Sequence, residues 1–486
     1  MVVGLAACGH GASPTHGPDA GRDAAIADAP EVDAPEVIER CDAPPTFADG
    51  LVPNRALHVE AGAAAGGDGS IAAPFAEIEQ AAAVATPGTS IILGPGVHAA
   101  NQLVSDLHGT ALAPIWIGGQ HGQPVPVIEA GSEGLHLARP RYVVIHDLEL
   151  RAQDARGVVL DDGGDFADDT AAHHVALVGV HVHDVGTTGS RDCITVSGVS
   201  DLFVYDSRIE RCGGAGSGAG IDLVGCHRSI VARNVFDQIS ASAVQARGGA
   251  TDVDVRQNRI RDGGARAVSL GGSTDLAVFR PPLSASAASA EARRIRVFDN
   301  IITGTESAAF VFSGCVDCLV AHNAVKGAPL RLIEILQETA TQAGFTFEAA
   351  SNGRVINNSF VFSSAALSTA VNVGPDTSPS TFTFSSNVWH AFDDPAKSTP
   401  SLPVAESGDG ALIGRGSFYL MLPDDPYAAL SEEAGVSEED GVCPQFPEYH
   451  AAFPFPDIDG TIGGSCRRGS NSNAIGPFRA GNCTLF

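Results

Sequence analysis

Lysine is nearly missing from this chain: Lys326 and Lys397 are the only two in 486 residues. Cationic roles therefore fall to arginine. Missing too is any stretch long and apolar enough to cross a bilayer as a helix. No sustained helical period of roughly 3.6 residues runs through the chain, which excludes a helical-repeat array. The formal net charge is −28, so nonspecific binding to nucleic acid is excluded. That acidity lies in the flanks, because between Asp201 and Asn300 13 Arg stand against 11 Asp plus Glu. From residue 9 to about 50 large apolar residues are almost absent. Such an Ala, Pro, Asp and Gly segment cannot bury enough surface to fold and is expected to be a tether.

What is present in quantity is glycine, with 56 residues, and short runs of β-branched residues. They suit short strands joined by tight turns. An asparagine recurs in the pattern apolar–x–x–Asn–x–apolar, which puts Asn234, Asn258, Asn300, Asn323, Asn358 and Asn387 in register. Strand starts near 141, 173, 201, 228, 251, 293, 316, 352 and 381 follow one another at intervals of roughly 23 to 42 residues, the range of solenoid repeats. The unit is strand–turn–strand, so a β-solenoid is expected. Stacked asparagines can hydrogen-bond along its axis and satisfy the backbone at a sharp bend, which makes their role structural. Second strands such as "CITVSG", "GIDLVG", "AVQARGG" and "AVSLGG" end in glycine. They point Ile194, Ile221, Val244, Val268 and Phe310 inward. One outward column is then Thr195, Asp222, Gln245, Ser269 and Val311, and the next is Ser197, Val224, Arg247, Gly271 and Ser313. Two insertions, after Gly272 and after Ile335, are expected as long loops where binding function concentrates.

Residues 57–100 place Gly67 to Ser70, Pro74, Phe75, Ile78, Ala81, Pro87, Gly88, Ile92, Leu93, Pro95 and Gly96 in an order that resembles the N-terminal cap of pectate-lyase-like proteins. The ending "FPDIDGTIGG…NAIGPF" resembles their closing turn. The resemblance implies an all-β, right-handed parallel β-helix with a short capping helix at about Pro74 to Ala85 and an irregular C-terminal cap. The expected division is 1–8, a lipoprotein signal remnant; 9–56, a disordered tether; 57–395, the β-helix; and 396–486, the C-terminal cap.

Leu5-Ala6-Ala7-Cys8 resembles the bacterial lipobox, which implies lipidation of Cys8 and a place in the cell envelope, as an outer-membrane lipoprotein or a secreted protein. Membrane contact is then expected through the lipid alone. Ten cysteines suit an oxidising compartment. Cys193, Cys212 and Cys226 fall on adjacent coils, and Cys443, Cys466 and Cys483 cluster late. Their connectivity stays open. Cys315 and Cys318 are expected as a local disulfide or two free thiols rather than a metal site.

The family resemblance implies action on polysaccharide, by β-elimination or hydrolysis. Lyases of the chondroitinase-B and alginate-lyase branch carry a lysine on one coil and an arginine on the next. Here Arg247 stands at the lysine position and Gly271 at the arginine position, and the calcium-holding glutamates of that branch have no counterpart. Calcium is the one cofactor the resemblance admits, and no metal ligand is assigned. Asp161 and Asp162 are adjacent and face opposite ways along a strand, so they do not form a polygalacturonase-like pair. His173, His174, His181 and His183 are candidates for metal binding by residue type, and the reading preferred for them is exposed or turn histidines at coil starts. The candidate catalytic residues are Arg247, Arg266 and Asp222. Gln245, Asp192 and Arg280 are candidate substrate contacts, with Arg280 on a loop expected to roof them. Arginine forks suit carboxylate or sulfate groups. The alternative is a noncatalytic glycan-binding or surface-structural β-helix protein, and under either reading a monomer is expected.

Overall fold

The computed structural model describes residues 46–407, apart from 121, 187–190, 215, 340 and 342. Three sheets of parallel strands, with 14, 11 and 10 strands among the described residues, run from Arg55 to Ala391. Each coil contributes one strand to each in turn, as in Arg141–His146, Glu149–Arg151 and Arg156–Asp161, which pair with Ala172–Val178, His181–Val185 and Ile194–Ser197 of the next coil. This is a parallel β-helix. The inward residues expected from the alternation, Ile194, Ile221, Val244, Val268 and Phe310, are all buried and stack in register.

The asparagine ladder stands at the bend between the first and second sheets. Asn234 Oδ1 accepts from the Ser207 N–H at 2.9 Å. Each following asparagine accepts from the backbone N–H and side-chain amide of the one before it. The residue before each rung, Arg233, Gln257, Asp299, His322, Asn357 or Ser386, has φ between 55° and 60°. That left-handed bend turns backbone groups away from ladder partners, and the asparagine amide replaces them. The last rung is not an asparagine. Glu406 accepts from Asn387 N–H and Nδ2, both at 2.8 Å, and from Trp389 Nε1 at 2.7 Å.

The capping helix is shorter than expected, Ile78–Ala82, with Ile78 and Ala81 buried beneath it. Gln102 Oε1 from the next coil accepts from the N–H groups of Ile78 and Glu79, which satisfies two of the orphan donors at the helix start. The last part of the expected tether is ordered. Phe47 packs edge-on against Tyr142 at 5.7 Å and His174 at 5.6 Å, and the first strand, Arg55–Val59, begins just before residue 57. Cys193 and Cys212 form one disulfide and Cys315 and Cys318 another. Cys226 is a buried free thiol whose pKa burial pushes up to about 12, so it stays protonated. Cys8, the greater part of the tether, Cys443, Cys466, Cys483 and the closing turn lie outside the described residues.

Candidate functional site

The outward face of the third sheet carries the columns read from the sequence. Thr195, Asp222, Gln245, Ser269 and Val311 are aligned by strand pairing, as are Ser197, Val224 and Arg247. Asp192 stands just ahead of strand Ile194–Ser197, and the Cys193–Cys212 disulfide anchors its neighbour.

The loop after Gly272 does not roof this face with a free arginine. It runs back along the turns that end the third-sheet strands. Arg280 is buried there, donating Nε and Nη2 to the two carboxylate oxygens of Asp162 and Nη1 to the Val278 carbonyl. A methyl group on Gly198 or Gly225 would collide with the Arg280 side chain, and one on Gly249 with its carbonyl. The glycines that close those strands are therefore the bed on which the strap lies. Arg280 holds the strap down and is not available to a substrate.

Beneath the strap sits Glu291, which the sequence gave no reason to single out. It accepts from the N–H groups of Gly248 and Thr274, at 3.0 and 3.2 Å, and from the hydroxyls of Thr274 and Thr339. Burial pushes its carboxyl pKa up against those hydrogen bonds. Thr339 belongs to the second insertion, so Glu291 ties the two loops together. Phe279 and Phe347 pack at 5.5 Å, and Ser289 exchanges backbone hydrogen bonds with Thr346 and Glu348.

The remaining arginines of the site are also engaged. Arg247 donates Nε and Nη2 to Asp222, at 3.0 and 2.7 Å, and Nη1 to the Ser273 carbonyl at 2.6 Å. Although burial opposes it, the Asp222 contact keeps this guanidinium more firmly protonated than usual. Arg266 is paired with Glu338, which also accepts from Ser313. Arg331 pairs with Glu334 at 3.1 Å. Gln245 is half-buried beside Arg247, where the chain turns off at Gly272 with no side chain in the way.

Asp192 is different. Its oxygens accept from the Thr195 hydroxyl at 3.1 Å and the Ala219 N–H at 2.8 Å, and among the described residues not from a guanidinium. Burial first, and the Asp222 charge second, push its pKa up. Two neighbouring carboxylates thus sit in unlike surroundings, one clamped by arginine and one favouring its proton. Further along the same face, His136 lies 2.6 Å from Asp161 and 3.2 Å from Glu133. The Asp161 contact raises the imidazole pKa.

The model of the right-handed β-helix region matches residues 133–325 and 192–387, together just over half of the sequence. The chain belongs to this right-handed β-helix family. No curated protein matches it. Among solved structures it is similar to pectate lyase Pel9A, with 16% identity over 70% of this chain and 81% of that one, at a TM-score of 0.44. It is similar to an alginate lyase from Paenibacillus sp., with 15% identity over 73% and 98% and a TM-score of 0.44. It is also similar to the A-module of a mannuronan C-5 epimerase from Azotobacter vinelandii, with 14% identity over 68% and 92% and a TM-score of 0.43. For this right-handed β-helix, chemistry has to be argued from its own residues.

Proposed function

We propose that the outward face of the third sheet is a glycan site, and that Asp192 and Asp222 act there as a hydrolytic acid–base pair on a glycosidic bond. The unlike surroundings of these two neighbouring carboxylates carry the proposal. Asp192 favours its proton and suits the general acid. Asp222, both of whose oxygens are held by Arg247, suits the base. β-Elimination through Arg247 is disfavoured, since a guanidinium locked on a carboxylate is a poor base and has little left to neutralise a uronate. Gln245 beside the pair is placed to donate a hydrogen bond to a sugar hydroxyl.

A noncatalytic glycan-binding role has one observation in its favour: Arg247, Arg266 and Arg280 are all engaged within the protein. The test is a panel of acidic and neutral polysaccharides assayed for new reducing ends and for the ultraviolet absorbance of eliminated uronates. Asp192→Asn and Asp222→Asn should each lower reducing-end release by roughly 100-fold or more, in line with loss of one general acid or base. Unsaturated product would sink the acid–base assignment. Binding without cleavage, unchanged in both variants, would establish the noncatalytic role.

A further inference from the structure

A second cluster stands on the outward face of the second sheet, away from the acidic pair. His181 and His183 project from one side of strand His181–Val185, and their rings stack at 4.1 Å. Glu149 is paired with His181 on the preceding coil, and Glu210 lies opposite His183 on the following one. Glu149, His181 and His183 each offer a ligand atom, and all three atoms lie within 4.8 Å of one another.

His183 Nδ1 lies 2.5 Å from Asp184 Oδ2 and 3.1 Å from Arg211 Nη2. The carboxylate can only accept from Nδ1 and the guanidinium can only donate to it, so these two neighbours favour opposite tautomers. With the proton on Nδ1, the Nε2 lone pair faces Glu149 Oε1 at 3.3 Å, and a metal ion would bridge the two. His181 Nε2 lies 3.2 Å from Glu210 Oε2. Donor atoms of a tetrahedral zinc ion with bonds of about 2.0–2.1 Å are separated by about 3.3 Å, and His183 Nε2 and Glu149 Oε1 stand at that spacing.

We propose that Glu149, His181 and His183 form a binding site for a divalent transition metal of the zinc class, with Glu210 as a further oxygen donor beside His181. Two imidazoles with carboxylate oxygen select zinc-like ions over magnesium or calcium, which prefer all-oxygen shells. With the proton on His183 Nδ1, Asp184 is the outer carboxylate that accepts it and turns Nε2 to the metal, as outer-shell carboxylates do in zinc proteins. Arg211 in turn holds Asp184 by Nε and Nη2, at 2.6 and 2.8 Å. Arg151 already donates to Glu149 Oε1 at 2.7 Å. A carboxylate oxygen has two lone pairs, so the guanidinium and a metal can share it. The groups facing the cluster also include Arg208, on Glu210, and Glu129, on Arg151. With three arginines against four carboxylates, the surroundings do not repel a cation.

The test uses the full chain after chelator treatment. Calorimetric titration with zinc chloride should give one equivalent bound with micromolar affinity or better. Cobalt should give the visible bands of a four-coordinate ion. Zinc should raise the melting temperature, since it binds only the folded state. His181→Ala and His183→Ala should each weaken zinc at least 100-fold and remove the cobalt bands, and His173→Ala should leave both unchanged. Glu149→Gln, which keeps the shape of the strand, should weaken binding should an imidazole variant fail to fold. No zinc binding by the wild type, with both His183 nitrogens protonated by NMR at neutral pH, would overturn the proposal. So would binding that survives loss of both imidazoles.

Discussion

Replacing Asn300 with alanine should destabilise the solenoid by about 3 kcal/mol. Asn300 is fully buried. Its Oδ1 accepts from the Asn258 N–H and Nδ2, both at 2.9 Å, and its Nδ2 donates to the carbonyls of Val255 at 2.9 Å and Phe298 at 3.1 Å and to Asn323 Oδ1 at 2.9 Å. Alanine leaves the Asn258 N–H without its acceptor and the Val255 carbonyl without this donor. Stranding a buried polar group costs about 1–3 kcal/mol, so two such groups span about 2–6 kcal/mol, and about 3 kcal/mol lies in the lower half of that range. Over roughly 340 residues of solenoid, an unfolding entropy of about 2.1 cal/mol/K per residue sums to about 0.7 kcal/mol/K. The melting temperature should then fall by about 4 °C in calorimetry or circular dichroism. Repeat proteins lose stability locally before they lose it globally, so the Asn258 amide should also lose hydrogen-exchange protection. Asn372→Ala is the control, because Asn372 faces outward and its amide reaches only Glu334, at 3.3 Å. If Asn300→Ala melts within a degree of the wild type and the Asn258 amide stays protected, the ladder is ornamental and the argument fails.

Two further outcomes follow from the site. The raised Asp192 pKa means that its contribution to stability is fully present below the ordinary aspartate pKa and is lost as pH rises through the folded-state value. Asp192→Asn should therefore melt higher than the wild type at pH 7 and equally at pH values below about 3.9; a gap that is the same at both ends of a pH series of melts would refute the assignment. Arg280→Ala strands Asp162 in a buried place, a change that costs roughly 3–5 kcal/mol, and it should free the strap. Limited proteolysis should then cut within residues 273–290, and an uncut strap would show that Glu291 and the second loop hold it unaided.

The coil register was legible because two periodic signals coincide. Alternation fixed which residues of "CITVSG", "GIDLVG" and "AVQARGG" point inward, and the asparagines fixed the phase of each coil. Non-periodic features were not legible. Glu406 completes the asparagine ladder from a segment with no repeat pattern. The packing of the two insertions on each other, through Phe279, Phe347 and Glu291, depends on loop paths that no local propensity encodes. Arg280 was expected on the ligand face because arginine on a long loop suggests an exposed cation. Its partner Asp162 is 118 residues away, and a pairing at that distance leaves no mark in the sequence.

The solenoid also explains why arginine is a poor guide to function here. Stacked coils bring an arginine on one coil beside an aspartate on the coil before, and the same bidentate pair recurs: Arg139 with Asp106, Arg211 with Asp184, Arg228 with Asp201, and Arg294 with Asp252. Arg247 on Asp222 has the same geometry. A rung of this kind neutralises stacked charge whatever the protein does, and each exposed pair adds little stability. What stands out against such a background is an acid that the ladder leaves without a rung. Asp192 is that residue on the third sheet, satisfied by a hydroxyl and a backbone N–H and pushed toward its protonated form by burial and by Asp222. On the second sheet the corresponding exceptions are His181 and His183, whose Nε2 atoms meet carboxylates. The places where the charge ladder is broken, and not the places where it is densest, are where this fold has room for chemistry.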